Sequence, residues 1–484
     1  MTRLRVRTAL GLVFLAGSAA RLVAWREGSS IHPDEFFQVL EPAWWHLHGA
    51  GLATWEWREG IRSWVLPVYH GAWMALLELL GVRPGATIGW LLQLHWALVN
   101  LVLIAAAFRG GAWVARRCAR QAATCAAPPE EALAARDTPA AAGWQGGLLA
   151  AALVALFPMI VAYAPHTLSE SPSMICFVVA LALAAEMGEV PGARVAPARA
   201  IQLGALVGLG LCVRLANAPL ALVAPLLLLV RRRFALLGWA ALGALGPLAL
   251  FALVDLVTWG KPLGAAIGYL RFNLIEGRAA GFGTAPWSWY LTRLFERAPW
   301  GLPVLLLPLL LGLRASWPFG LSAFLLVASL STQGHKEERF VSAFWPFLII
   351  GAAGVAGGWL ARRPQRRVPA AVVALAAALI LADGLAGYRH ADYAVKRAWM
   401  EMQRVTGEQP DLTGVIMESI LFAGGSLFLD RPVPQLEFRA YLLRNPMISH
   451  ALLAEGSDFE QQALRAGFRP IVTRDHVVLL RRAP

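Results

Sequence analysis

Apolar stretches of about 20 residues recur along this chain, each long enough to cross roughly 30 Å of hydrocarbon. The apolar candidates, some as short as 14 residues, are roughly 8–25, 64–80, 86–108, 145–164, 172–187, 200–214, 217–230, 234–258, 300–313, 317–333, 341–360 and 368–388. Only 15% of the 484 residues are charged and 58% are hydrophobic, whereas a soluble domain carries about 25% charge. The expected fold is therefore an all-α polytopic membrane protein. The net charge of +13 does not point to nucleic acid, because the arginines cluster beside apolar stretches, as in cytoplasmic loops. The start, MTRLRVRTALGLVFLAGSAARLVAW, resembles a signal peptide but reads as an uncleaved first helix. The four cysteines, Cys118, Cys125, Cys176 and Cys212, show no metal-ligand or redox spacing.

Charge sets the number of crossings. If 64–80 crossed, the loop 109–143, with Arg109, Arg116, Arg117, Arg120 and Arg136, would face outside, against the positive-inside pattern. If 64–80 instead stays on the outer face, as Pro67, His70, Glu78 and its tryptophans suit, every basic cluster falls inside. These clusters are 109–120, Arg194 with Arg199, Arg231–Arg233, Arg314 and RRPQRR at 362–367. The expectation is eleven crossings over 1–388. The outer face then receives 26–84, the PHTLSES loop at 165–171, the turn at Arg214, the long loop 259–299 and GHKEERF at 334–340. It also receives 389–484, which reads as a small α/β module with a structural or docking role. Strands are expected at TGVIMES, GSLFLD and RPIVTRDHVVLLRR, the last with a tight turn. SDFEQQALRAGF reads as a helix with a capping box, Ser457 followed by Glu460.

Polar residues gather on that one face. In IHPDEFFQVLEPAWWHLHGAGLATWEW, Asp34 and Glu35 stand beside His32, Glu41, His46, His48 and Glu56, among phenylalanines and tryptophans. A carboxylate held there can take a proton from an incoming hydroxyl. In GHKEERF, Lys336 and Arg339 offer donors to a phosphate, among His335, Glu337 and Glu338. His166, Ser169 and Glu170 end a crossing, Arg214 sits between apolar runs, and Arg271, Asn273 and Arg278 lie in a glycine- and aromatic-rich loop. An arginine at membrane level usually pairs or faces a polar cavity. There is no P-loop or dinucleotide-binding glycine pattern, and no acidic pair in a soluble domain. A cytosolic nucleotide-sugar enzyme is therefore not expected; a donor, if the chain uses one, must reach the outer face by itself, as a lipid-linked phosphate does. Ligand spacing supports no metal, although a divalent ion is compatible with His32 and Asp34, and no other cofactor is expected.

Three motifs in order resemble glycosyltransferase family 22, the Alg9-like and GPI-type mannosyltransferases. They are HPDEFFQVLEPAW with TWEW and RSWVLP, then GKPLGAAIGYLRFNLIEG with FGTAPWSWY, then GHKEERF, similar to that family's HKExRF. The resemblance covers roughly residues 1–350. It implies a GT-C fold and an inverting transfer of mannose from a polyprenyl-phosphate donor to a lipid-linked or glycan acceptor, on the lumenal or periplasmic side. Asp34, with Glu35 beside it, matches the catalytic acidic pair. His335, Lys336, Glu337 and Arg339 match the donor-phosphate residues, joined by Arg214. Substrate contacts would extend to His32, Trp55, Glu56, Arg62, His166, Glu170 and Asn273. This chain has His166 where the family often has Arg, Glu170 where it often has Asn, and RLANAP where it often shows Arg-Pro-Thr; these departures bear on the acceptor and the sugar. Arabinose or glucose is the alternative sugar, and a lipid-linked sugar transporter the alternative class, although no internal repeat supports a transporter. The Ala-, Arg- and Gly-rich composition points to a bacterial inner membrane with the site facing the periplasm; in a eukaryote the site would face the ER lumen.

Overall fold

The computed structural model describes residues 3–27, 32–83, 85–126, 138–187, 196–362, 370–389 and 393–483. Contacts divide the chain into two compact units: Met1–Leu22, Leu98–Ala164 and Ser169–His390 form the first, and Val23–Ala97, Pro165–Leu168 and Ala391–Pro484 the second. Among the described residues, five helices are long and apolar enough to cross a membrane: Leu4–Glu27, Gly85–Gln121, Phe234–Trp259, Leu313–Ser331 and Glu338–Ala361. Trp289–Arg297 and Gly301–Leu311, bent by 113°, make a sixth if taken together. Val65–Leu79, Ala140–Leu156, Pro197–Val213, Leu215–Val230 and Leu375–Leu385 are apolar but shorter. A count of eleven crossings thus depends on shorter helices crossing as well. Arg136, Arg194 and the arginines of 363–367 lie outside the described residues.

One expected loop is helix instead. The basic stretch after residue 108 continues as Val102–Ala126. Alanine and arginine are good helix formers. Arg109 pairs with Glu186, and Arg117 stacks over Trp113 at 4.8 Å, so the charges do not oblige the chain to leave the helix. The helix Thr138–Leu156 breaks before Pro158, which has no N–H to continue it. Arg21 Nη1 donates to the carbonyl of Ala155 at that break (2.9 Å).

Helices of the first unit approach closely where glycine faces glycine or backbone. A Cβ on Gly204 would stand 1.7 Å from the carbonyl oxygen of Ala240, and one on Gly243 2.1 Å from that of Ile201, so Pro197–Val213 and Phe234–Trp259 touch backbone to backbone. Gly111, Gly146, Gly354 and Gly357 do the same where Val102–Ala126, Thr138–Leu156 and Phe344–Arg362 meet. Lipid supplies no hydrophobic drive between helices, so close packing at small residues has to hold them together.

In the second unit, a helical run begins at Asp34. Its first turn, Phe36–Leu40, is π-helical, and Glu41–His48 continues as α-helix to a left-handed Gly49. Phe36, Leu40, Trp44 and Met74 share one core with Met400, Leu427 and Phe428 of the C-terminal region. That region carries a five-stranded sheet: β1 (Val415–Met417), β2 (Gln435–Glu437), β3 (His450–Ala454), β4 (Phe468–Arg474) and β5 (Val477–Arg482). The strand order is β2-β1-β3-β5-β4; β1 runs parallel to β2 and β3, and β5 antiparallel to β3 and β4. Asp475 and His476, both with positive φ, make the tight turn before β5. Ser457 Oγ accepts from Glu460 N (3.2 Å), and Glu460 reaches back to Gly456 N.

GSLFLD, expected as a strand, is the short helix Gly425–Leu429. Short apolar runs are ambiguous between helix and strand. Here Gly424 and Gly425, both with positive φ, turn the chain, and the carboxylate of Glu41 accepts from Ser426 N (2.8 Å).

Gly204→Val should lower the thermal midpoint of detergent-solubilised protein, as an overpacking cost of about 1–3 kcal/mol requires. Gly246→Val, at a position with nothing within 4 Å of an added Cβ, should shift it far less. Equal shifts would show that the close helix contact is not what the glycine provides.

Candidate active site

The two neighbouring acids of HPDE have different surroundings. Glu35 is fully buried. His166 Nδ1 lies 2.9 and 3.0 Å from its two oxygens, Thr167 N donates to one of them at 3.0 Å, and Thr167 Oγ1 donates to the Glu35 carbonyl. Asp34 is partly exposed: its side chain lies 3.4 Å from His32 Nδ1 and retains 22% of its surface. The Asp34 N–H also meets that ring nitrogen (3.2 Å), which fixes the turn. The sequence shows an acidic pair; the structure gives one acid buried partners and leaves the other reachable.

Glu56 is another buried acid of this unit. Arg62 holds it through Nε (3.0 Å) and Nη2 (2.5 Å), and Gln38 donates to the same oxygen (2.9 Å). The next tryptophan, Trp57, is buried and donates to the Phe37 carbonyl (2.8 Å), whereas Trp55 is 37% exposed. The TWEW segment is therefore tied to the helix carrying the acids through Gln38 and Phe37. His166 serves as the partner of Glu35 rather than as an exposed group.

In the first unit a second cluster forms around Glu170, itself 1% exposed. Arg214 Nη1 and Arg339 Nη1 approach one oxygen of Glu170 at 3.1 and 3.2 Å. Arg339 Nε pairs with Glu337 (2.5 Å), whose other oxygen meets His335 Nε2 (3.0 Å). Arg214 also donates to Ser169 Oγ (3.0 Å). Both guanidiniums lie against the ring of Phe340, at 4.9 and 5.1 Å from its centroid. Two arginines and two carboxylates thus alternate in a nearly neutral array. Arg214 Nε is buried with no hydrogen-bond partner. Ser169, at the N-cap of the helix Glu170–Glu186, makes no side-chain capping bond and turns to Arg214.

Lys336 behaves differently. Its ammonium donates to the carbonyls of Ala285 (3.1 Å) and Gln333, and burial pulls its pKa below the usual lysine range. His335 Nδ1 meets the Gly283 carbonyl (3.3 Å), and Ala285 N donates to Gly334 O. Arg297 binds both oxygens of Glu338 at 2.9 Å. GHKEERF therefore clamps the long loop 259–299 as well as holding arginines. Arg297 is not among the residues singled out in the sequence, where its one signal is its charge near Trp300. Asn273 does not join either cluster; in its π-turn Arg271–Ile275 it donates to the Tyr269 carbonyl (2.9 Å). Thr167 and Phe340 were also missed as partners; a backbone N–H or an aromatic face leaves little trace in a sequence.

Removing one member of a buried ion pair is costly, about 3–5 kcal/mol. Glu170→Ala should lower the thermal midpoint strongly, because it leaves Arg214 and the buried Arg339 facing each other with Glu337 left to balance them. Arg297→Ala, which breaks a pair with about a third of its surface exposed, should cost about 1 kcal/mol or less. The reverse order in a melting series would refute the shared-carboxylate arrangement.

The Alg9-like mannosyltransferase family model matches residues 12–413. GPI mannosyltransferase 3 of Yarrowia lipolytica is 27% identical over 390 residues, 79% of this chain and 68% of that protein. GPI alpha-1,2-mannosyltransferase 3 of Danio rerio is 26% identical over 343 residues, 66% of this chain and 55% of that protein. The chain thus spans between about half and two thirds of the length of these curated relatives. ArnT from Cupriavidus metallidurans, crystallised with undecaprenyl phosphate, shares the fold with a TM-score of 0.56 at 15% identity, over 97% of this chain and 98% of that one. The chain is therefore an integral membrane protein of the Alg9-like mannosyltransferase family, with the many-helix GT-C fold and a small C-terminal α/β module.

Proposed function

We propose that this protein transfers a mannosyl residue from a polyprenyl-phosphate carrier to a lipid-linked or glycan acceptor, with inversion, on the outer face of its membrane. The observation that carries the reading is the division of the acidic pair: Glu35 is buried and saturated by His166 and Thr167, and Asp34 stays accessible on the same turn. Asp34 takes the proton of the acceptor hydroxyl as its oxygen attacks the anomeric carbon. The carbon–oxygen bond to the carrier phosphate breaks, and the phosphate leaves with its electron pair. A phosphate needs little acid assistance, so one base is enough, unlike the two flanking carboxyls of glycosidases.

Arg214 and Arg339, with Lys336 and His335, are assigned to the carrier phosphate, where fixed cations stabilise developing charge. Glu170 and Glu337 hold the guanidiniums in place before any substrate arrives. A groove of about 510 Å³ in the same unit, lined only by apolar side chains such as Leu291, Phe295, Leu306, Leu310, Trp317 and Phe324, suits a polyprenyl tail. A chain of this fold crystallised with undecaprenyl phosphate supports that carrier class, and the GPI mannosyltransferase relatives support mannose. The side of the membrane rests on the positive-inside pattern.

The test uses purified full-length protein in nanodiscs, labelled polyprenyl-phosphate-mannose and a panel of cellular lipid extracts, read by mass spectrometry. Wild type should transfer the label to a lipid product. Asp34→Asn should lower transfer by about 10²–10⁴-fold, the usual worth of a positioned base, with an unchanged melting profile. Full activity in Asp34→Asn would remove the aspartate from the mechanism.

A further inference from the structure

We propose that Glu41 is a positioning residue, through which the C-terminal module holds the helix that carries Asp34. The inference rests on the reading of Asp34 as the base. Glu41 is 1% exposed. One of its oxygens accepts from Leu52 N (2.8 Å) and Ser426 Oγ (2.6 Å), and the other from Ser426 N (2.8 Å). Ser426 Oγ in turn accepts from Gln435 Nε2 (2.8 Å), and Gln403 Nε2 donates to Gln435 Oε1 (2.8 Å). Ser426, Gln435 and Gln403 are all buried, so a polar chain runs from the first-loop helix through β2 to the helix Tyr393–Gly407.

The module is shaped for this carboxylate. Gly425 has φ +64°, and a Cβ there would lie 2.3 Å from Glu41 Oε2. Backbone and hydroxyl donors aimed at an anion from a glycine turn make a concave anion seat, and here the anion is a side chain of the same protein. No cation pairs with Glu41 among the described residues, and burial pushes its pKa above the usual carboxylate range while the three hydrogen bonds pull it back. A buried carboxylate without a counter-charge is a poor way to gain stability; an apolar side chain would fill the space between Phe36, Leu40 and Phe428 more favourably. What it supplies is direction. Asp34 and Glu41 are seven residues apart on one continuous helical run, about 10 Å along the axis. The π-turn Phe36–Leu40 lies between them, and such turns are rare and concentrate at functional sites. With Glu35 held at one end of that turn and Glu41 at the other, the orientation of Asp34 is determined from both sides.

The test compares wild type with Glu41→Ala, Glu41→Gln and Gly425→Ala, all as full-length protein in nanodiscs, with two readouts. In hydrogen–deuterium exchange, amides of 34–48 should exchange faster in all three variants, least in the isosteric Glu41→Gln. In transfer from labelled polyprenyl-phosphate-mannose to a total lipid extract, kcat per folded molecule should fall about 100-fold in Glu41→Ala and Gly425→Ala and about tenfold in Glu41→Gln, with donor KM within about twofold, as expected when a base is displaced by about an ångström. A purely structural role would lower the yield of folded protein and leave kcat intact. Unchanged exchange over 34–48, unchanged kcat, or a loss in KM alone overturns the proposal. If Gly425→Ala does not fold, Glu41→Gln carries the same comparison. A wild type that moves no label refutes the reading of Asp34 and the positioning role with it, whereas the exchange experiment decides by itself whether the module holds the helix.

Discussion

A carboxylate buried in or beside hydrocarbon must receive all its partners from the protein, because neither water nor lipid headgroups reach it. Three buried acids of this chain meet that demand in three ways. Glu35 takes an imidazole and a backbone N–H. Glu41 takes only neutral donors, from Leu52 and Ser426. Glu170 takes two guanidiniums, those of Arg214 and Arg339. Each solution recruits residues far away in sequence, and so each acid fixes a piece of chain that would otherwise be a free loop. Asp34, with part of its side chain exposed, is under less of that constraint. That contrast is what makes it the candidate for chemistry.

The segment PHTLSES shows how economically this is done. His166 and Thr167 serve Glu35 in one compact unit, and Ser169 and Glu170 serve Arg214 in the other. GHKEERF likewise does more than present cations. Lys336, His335 and Glu338 engage the long loop through Ala285, Gly283 and Arg297, so the same turn that offers Arg339 also orders the chain before it. A charged turn dense enough to look like a binding site is, in part, a set of loop restraints.

Much was legible in the sequence because its physical cause is local or periodic. The apolar runs, the hairpin before β5 and the Ser457 cap each follow from short-range rules and recur in the structure. The failures share a cause too. The basic stretch 109–126 is helix because Arg109 found Glu186. GSLFLD is helix because its turn faces Glu41. In both, a partner distant in sequence bore on which local alternative was taken.

By itself, the sequence determined that the chain is a polytopic membrane protein, that its polar motifs are those of the Alg9-like family, and which residues belong to them. Hydropathy over 20 residues and ordered motifs are properties of the linear chain, so no folding is needed to read them. Only the tertiary structure decided that Glu35 is enclosed by His166 and Thr167 while Asp34 is not, that Glu170 is shared by two arginines, and that the C-terminal module packs on the first-loop helix through Glu41. Two adjacent acids are equivalent in a sequence. They become different only when neighbours from elsewhere bury one and leave the other within reach.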